Sequence, residues 1–162
     1  MLNTRTTHHT LRRTLIAAAL ALPLDLLAAS GPYDESADAK AQVKAAQAEG
    51  SQVKIPLLVV FGANWCGDCK ALDLAFKEGA AAPLIAKNFK VVKVNVGRFD
   101  HNVDIAEAYG VPLKSGIPAV AVLSSQGQVV YATKGGELAD ARKMGDKGIY
   151  EFFVKVSASA AK

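Results

Sequence analysis

Apolar residues fall along this chain in two rhythms, and the points where one gives way to the other divide it into elements. Residues 55–63, IPLLVVFGA, are an unbroken apolar run of strand length, rich in β-branched and aromatic side chains. Such a run predicts a strand buried on both faces. KVVKVNV at 90–96 predicts a second strand, and PAVAVLSSQGQVVYAT at 118–133 predicts two more joined through Gly127 as a hairpin. Helical spacing fills the intervals. SADAKAQVKAAQAEG at 36–50 is an alanine-rich helix with Asp34 or Ser36 as its cap and Gly50 as its stop. Cys66 to Lys77 is helical, with Cys69, Leu72, Asp73 and Phe76 at helical spacing, and Gly79 and Pro83 break or kink the chain beyond it. PLIAKNF forms a further turn or short helix. NVDIAEAYG is a short helix capped by Asp100 or Asn102 and ended by Gly110. ELADARKMG coils helically, and DKGIYEFFVKV closes the chain with Ile149, Phe152, Phe153 and Val156 on one face. The tail SASAAK is expected to fray. Helix, strand, helix, strand, helix, strand, strand, helix is the order of a single α/β sheet with helices on both faces.

Composition narrows this picture. At 162 residues, 51% of them apolar and 21% charged, the chain suits one domain with a real core. The first thirty residues differ in kind. MLNTRTTHHTLRR is basic, LIAAALALPL is a short apolar stretch interrupted by Pro23, and DLLAASG offers small residues. This is the layout of a secretory signal peptide over 1–30, with an uncleaved N-terminal anchor as the alternative. The apolar stretch is shorter than the ~20 residues a membrane span needs, so no stable span is expected once the signal is removed. Removal takes three arginines and one aspartate and lowers the net charge from +4 to +2. No basic run remains that would track a phosphate backbone, and nucleic acid is not an expected partner. The domain is then 31–162, exported to the periplasm, an oxidising compartment.

In that compartment the only two cysteines carry the chemistry. They stand three apart in FGANWCGDCKAL. Cys66 follows the buried strand and opens a helix, where free backbone N–H groups and the helix dipole favour a thiolate. Cys69 lies on the same helical side, near enough to close a disulfide. The expected division of labour is an exposed Cys66 that attacks a substrate disulfide and a more buried Cys69 that resolves the mixed disulfide. Three other readings stand beside it. A structural disulfide would close only a tiny loop and stabilise little. A metal site would need ligands beyond His101, the one histidine outside the signal. A binding module, an adaptor or metallochaperone, would keep the pair without using it.

Trp65-Cys66-Gly67-Asp68-Cys69-Lys70 resembles the W-C-G-P-C-K of the thioredoxin superfamily, and the resemblance runs from about Pro56 to the last helix. Lys93-Val94-Asn95-Val96 and Gly116-Ile117-Pro118 are similar to two further family segments. The resemblance implies a thioredoxin fold, a central mixed sheet with helices on both faces. It also implies a cis peptide before Pro118, beside the cysteines, with Ile117 offering its backbone to an extended substrate. Trp65, Gly67, Asp68, Ile117 and Pro118 would border the substrate, and Trp65 would pack over and shield the disulfide. The wider pattern, with VGRFDHN, YGVPLKSGIPAV and GIYEFF, resembles exported bacterial thioredoxin-like proteins, some labelled disulfide isomerases. The implied activity is thiol–disulfide exchange, as a reductase or isomerase of protein disulfides. It needs no bound cofactor, and an unidentified thiol supplies its electrons.

The chain also departs from that family. Thioredoxins place a buried aspartate where this sequence has Val60, so the usual base for the second cysteine is missing and Lys93 is left without its usual partner. Asp68 stands in place of proline. Its charge suits a helix N-terminus but opposes a thiolate at Cys66, which would make the couple more reducing; the alternative is a helix-capping aspartate with little redox effect. The loop from Tyr109 to Pro118 is longer than the family's, and Leu113 and Lys114 within it either shape substrate choice or are solvated. His101 is expected to be a surface loop residue.

Overall fold

β1 (Leu57–Gly62) is the strand around which the rest assembles, and all six of its residues are buried. Its side chains alternate between two cores, as strand geometry requires. Leu57, Val59 and Phe61 enter one hydrophobic cluster, and Leu58 and Val60 enter the other. A computed structural model describes residues 31–160; the expected signal segment lies outside them.

The elements run α1 (Ala39–Val53), β1, α2 (Gly67–Lys77), α3 (Ala81–Asn88), β2 (Lys90–Asn95), α4 (Val103–Ala108), a short 3₁₀ turn (Leu113–Ser115), β3 (Ala119–Leu123), β4 (Val129–Ala132) and α5 (Ala141–Ala160). The sheet order is β2-β1-β3-β4. β1 pairs parallel with β2 and antiparallel with β3, and β3 pairs antiparallel with β4. The sheet is therefore mixed. Residues of α1 and α4 join the first cluster (Ala39, Val43, Ile105, Ala106). On the opposite face α2, α3 and α5 contribute Leu72, Ile85, Ile149, Phe153 and Val156. Phe153 meets Phe76 and Phe152 edge-on, with ring centroids 5.0 Å apart in each pair. Among the described residues, no helix is long and apolar enough to cross a membrane.

Several boundaries fall away from their expected places. The cap of α1 is Asp38, which accepts the Ala41 N–H at 3.0 Å, while Asp34 serves a local turn by accepting from the backbone and hydroxyl of Ser36. Gly50 does not stop α1. The helix passes through it to Val53 and ends on Lys54 in the left-handed region. Gly50 is needed for a close approach instead: a Cβ there would lie 2.6 Å from the Ile55 carbonyl oxygen. Pro83 does not break α3, because it sits in the first turn, where its missing N–H costs no intrahelical bond. Asn102 occupies the cap position of α4 without capping it; its side-chain amide donates to the Asn95 carbonyl at 2.8 Å. The tail through Ala160 belongs to α5 rather than fraying. That helix is broken at Gly145, with φ 63° and ψ −179°, a conformation that favours glycine.

Gly50→Ala is expected to lower stability by about 1–3 kcal/mol, because the turn into β1 must open to admit the methyl group. The thermal unfolding midpoint checks this, and an unchanged midpoint would show that the Ile55 backbone yields freely.

Candidate active site

β1 delivers the chain to Ala63, and the cysteine pair begins where the strand has ended. Cys66 is the N-cap residue of α2, in extended conformation, with its sulfur accepting the Cys69 N–H at 3.1 Å. A sulfur here does what a serine or aspartate oxygen does at other helix starts, satisfying a free N–H. The same contact favours negative charge on Cys66. Cys66 and Cys69 form a disulfide, with Cα atoms 5.2 Å apart. The peptide bond between Ile117 and Pro118 is cis. The Ile117 carbonyl oxygen lies 3.6 Å from Cys66 Sγ. The structure thus brings together Cys66, Cys69, Ile117 and Pro118 from two segments well separated along the chain.

Exposure corrects one expectation. Cys69 is fully buried as anticipated, but Cys66 is only 5% exposed rather than open. The helix end behind it and the Ile117 backbone beside it enclose most of its surface. The order of accessibility holds: Cys66 keeps a small exposed area and Cys69 none.

Trp65 stands beside the pair and is fastened on its other side. It is 51% exposed, and its indole N–H donates to the Gly97 carbonyl at 2.7 Å. The ring meets Phe99 edge-on with centroids 6.1 Å apart, and the Arg98 guanidinium stands 5.9 Å above it. It is therefore held toward the 97–99 loop, presenting an aromatic face to solvent. His101 lies on that loop, exposed, with Nδ1 2.8 Å from Asp100. In the longer loop, Leu113 is not solvated but buried in the first core, while Lys114 is exposed.

Asp68 is not the unpaired carboxylate its position suggested. It accepts the Arg142 backbone N–H at 3.0 Å, Nε at 3.2 Å and a terminal guanidinium nitrogen at 3.0 Å. These bonds, the side-chain pair foremost, hold its carboxyl below the usual range. The guanidinium also lies against Gly67, 3.2 Å from where a Cβ would stand, so Gly67 is covered on that side.

Lys93 has a partner after all. Val60 and Lys93 are in register across β1 and β2, and Val60 is buried. Lys93 Nζ reaches Asp73, which also accepts Lys77 Nζ at 2.8 Å. Burial opposes ionisation of Asp73, but the two lysines outweigh it and keep the carboxyl below its ordinary range. The acid missing from β1 is replaced, as the lysine's partner, by one on α2, a turn beyond Cys69.

This geometry has counterparts. Residues 38–125 match the family model described as thioredoxin-like. The chain belongs to the thioredoxin-like family. It is 56% identical to the disulphide isomerase from Xylella fastidiosa Temecula1, whose crystal structure superposes with a TM-score of 0.76 over 79% of this chain and 98% of that one. A thioredoxin of Haemophilus influenzae is 40% identical over 84 residues, covering 52% of this chain and 69% of that protein. Three residues that border this thioredoxin-like site, Arg142, Asp73 and Asn64, carried no sequence signal of their role. Asn64 fastens residues 33–35 to the cysteine loop, accepting the Tyr33 N–H at 2.9 Å and donating to the Tyr33 carbonyl at 2.8 Å and to Glu35 at 2.9 Å.

Arg142→Ala is expected to make the couple more reducing by roughly 5 to 20 mV, because it frees the Asp68 charge beside a forming thiolate. Asp68→Asn should move it the opposite way; equilibration with glutathione buffers measures both. Asp73→Asn is expected to cost about 1–3 kcal/mol at pH 7 by leaving Lys93 half-buried and unpaired. A carboxyl held below its unfolded value of about 4 stabilises above that pH and loses its contribution as pH falls through the lower folded value. The variant should therefore lose less stability on acidification, which denaturant titrations at neutral and acid pH will show.

Proposed function

We propose that this protein is a periplasmic thiol–disulfide oxidoreductase that reduces or isomerises protein disulfides through Cys66 and Cys69. The observation that carries the reading is the closed pair at the start of α2, with one sulfur capping the helix and facing the Ile117 carbonyl, on a thioredoxin-like fold. The high identity with the Xylella disulphide isomerase supports the isomerase form in particular. Export through the segment 1–30 is part of the proposal, and rests on its basic, apolar and small-residue regions.

The cycle starts from the disulfide. A donor thiolate attacks Cys66, Cys69 leaves as a thiolate and takes up a proton, and a second donor thiol releases Cys66 reduced. The Cys66 thiolate then attacks a client disulfide; one client sulfur departs with the electron pair and is protonated, and the other stays bonded to Cys66. Attack by Cys69 on Cys66 completes reduction of the client. Attack by another client cysteine instead leaves a reshuffled client and the reduced enzyme. The aromatic face of Trp65 and the Ile117 backbone are the surfaces that meet the client chain.

Cys69→Ser is expected to accumulate covalent complexes with exported proteins, released by dithiothreitol and identifiable by mass spectrometry. Cys66→Ser should accumulate none. If Cys69→Ser traps nothing while binding partners persist without a covalent link, the protein is a binding module instead.

A further inference from the structure

The space beneath Cys69 holds a residue that the exchange cycle has not used. Gly62 ends β1 under the disulfide, and a Cβ there would lie 2.2 Å from the Tyr33 hydroxyl oxygen and 2.9 Å from Cys69 Sγ. Phenol and sulfur thus occupy the room that a side chain on Gly62 would take. Tyr33 is 2% exposed and Cys69 fully buried, so this is an interior juxtaposition. It is also a built one. Asn64, on the loop that carries the cysteines, holds both the N–H and the carbonyl of Tyr33. Gly31 packs so closely on the Asn64 side chain that a Cβ would lie 2.2 Å from its oxygen.

The charged groups around this space are accounted for. Asp73, a turn beyond Cys69 on α2, is paired with Lys77 from its own helix and with Lys93 from β2. Asp68, at the start of α2, is paired with Arg142. β1 itself carries no titratable side chain, and its buried Val60 is apolar. Burial, and after it the charge of Asp73, raises the Tyr33 phenol well above its ordinary value, so it keeps its proton. A disulfide sulfur is a poor acceptor and a thiolate a strong one, so reduction creates beside the phenol an acceptor that a closed disulfide does not offer.

We propose that Tyr33 donates a hydrogen bond to the Cys69 thiolate, and so supplies from the strap of residues 31–38 ahead of α1 the support for the resolving sulfur that Val60 cannot give. The inference rests on the exchange reading above and deepens it. In the resolving step Cys69 loses its proton to water and attacks Cys66. The Cys66–Cys69 bond forms, the bond from Cys66 to the client breaks, and the client sulfur leaves with the electron pair and takes up a proton. In the reverse direction Cys69 is the leaving group and gains the same support. Tyr33 retains its own proton throughout.

The test uses the reduced protein with one equivalent of dithiobis(nitrobenzoate), whose coloured thiol is released twice. The first release reports attack by Cys66 and the second reports resolution by Cys69. Tyr33→Phe should leave the first phase unchanged, slow the second by roughly tenfold or more, and raise the pH midpoint of the second by about one pH unit. A second phase with wild-type rate and midpoint overturns the proposal, as does equal slowing of both phases. Should Tyr33→Phe not fold, Asn64→Ala unfastens the strap without altering the phenol and should slow the second phase selectively; an untouched second phase then overturns it. If the wild-type protein shows no first release, the exchange reading itself falls, an outcome distinct from either of these.

Discussion

The site depends on a helix that begins with sulfur. An α-helix leaves its first N–H groups without partners, and oxygen-bearing side chains normally supply the acceptors. Here the acceptor is Cys66, so the element that makes the cysteine reactive is also the one that holds it in place. β1 makes this possible by being buried on both faces, which fixes where the chain emerges and where α2 must start. The Ile117 carbonyl stands beside the Cys66 sulfur, which keeps only a small exposed area.

Charge around the pair follows a consistent logic. Two carboxylates lie on α2, and each is matched by a cation from a distant element: Asp68 by Arg142 of α5, and Asp73 by Lys93 of β2 together with its own helix neighbour Lys77. Pairing removes much of the repulsion that free carboxylates would direct at a thiolate. The local backbone N–H groups and the helix start are then the main electrostatic influence on Cys66. An acid pocket of the thioredoxin kind is not formed at β1, where Val60 belongs to the hydrophobic core instead.

The strands and the cysteine-bearing helix were legible because their signals are local. The run at 55–63, the hairpin around Gly127 and the strand-then-cysteine order need only neighbouring residues to be understood. The partners of Asp68 and Lys93 were not legible. Arg142 lies 74 residues from Asp68, and the Lys93 pair depends on strand register and on which side of α2 faces the sheet. Gly50 is a related case. Its local context suggests a helix stop, yet what requires glycine is the carbonyl of Ile55 returning over it. Leu113 looked like a loop-tip residue, but the 3₁₀ turn directs it into the core. The element order anticipated the β3–β4 hairpin, and the resemblance to a known family anticipated the mixed sheet as a whole.

The break at Gly145 has an architectural consequence. Nothing lies within 4 Å of where its Cβ would stand, so backbone conformation alone reserves that position for glycine. It separates Arg142, committed to the redox end, from Asp146, which accepts the Ala80 N–H ahead of α3, and from Phe153 in the far core. The final helical segment is thereby two helical pieces that meet at an angle set by one residue. The short piece carries both the counter-ion of Asp68 and a buried residue, Ala141. The charge at the cysteine end and the second core are thus anchored by the same turn, ahead of the long piece that holds Ile149, Phe153 and Val156.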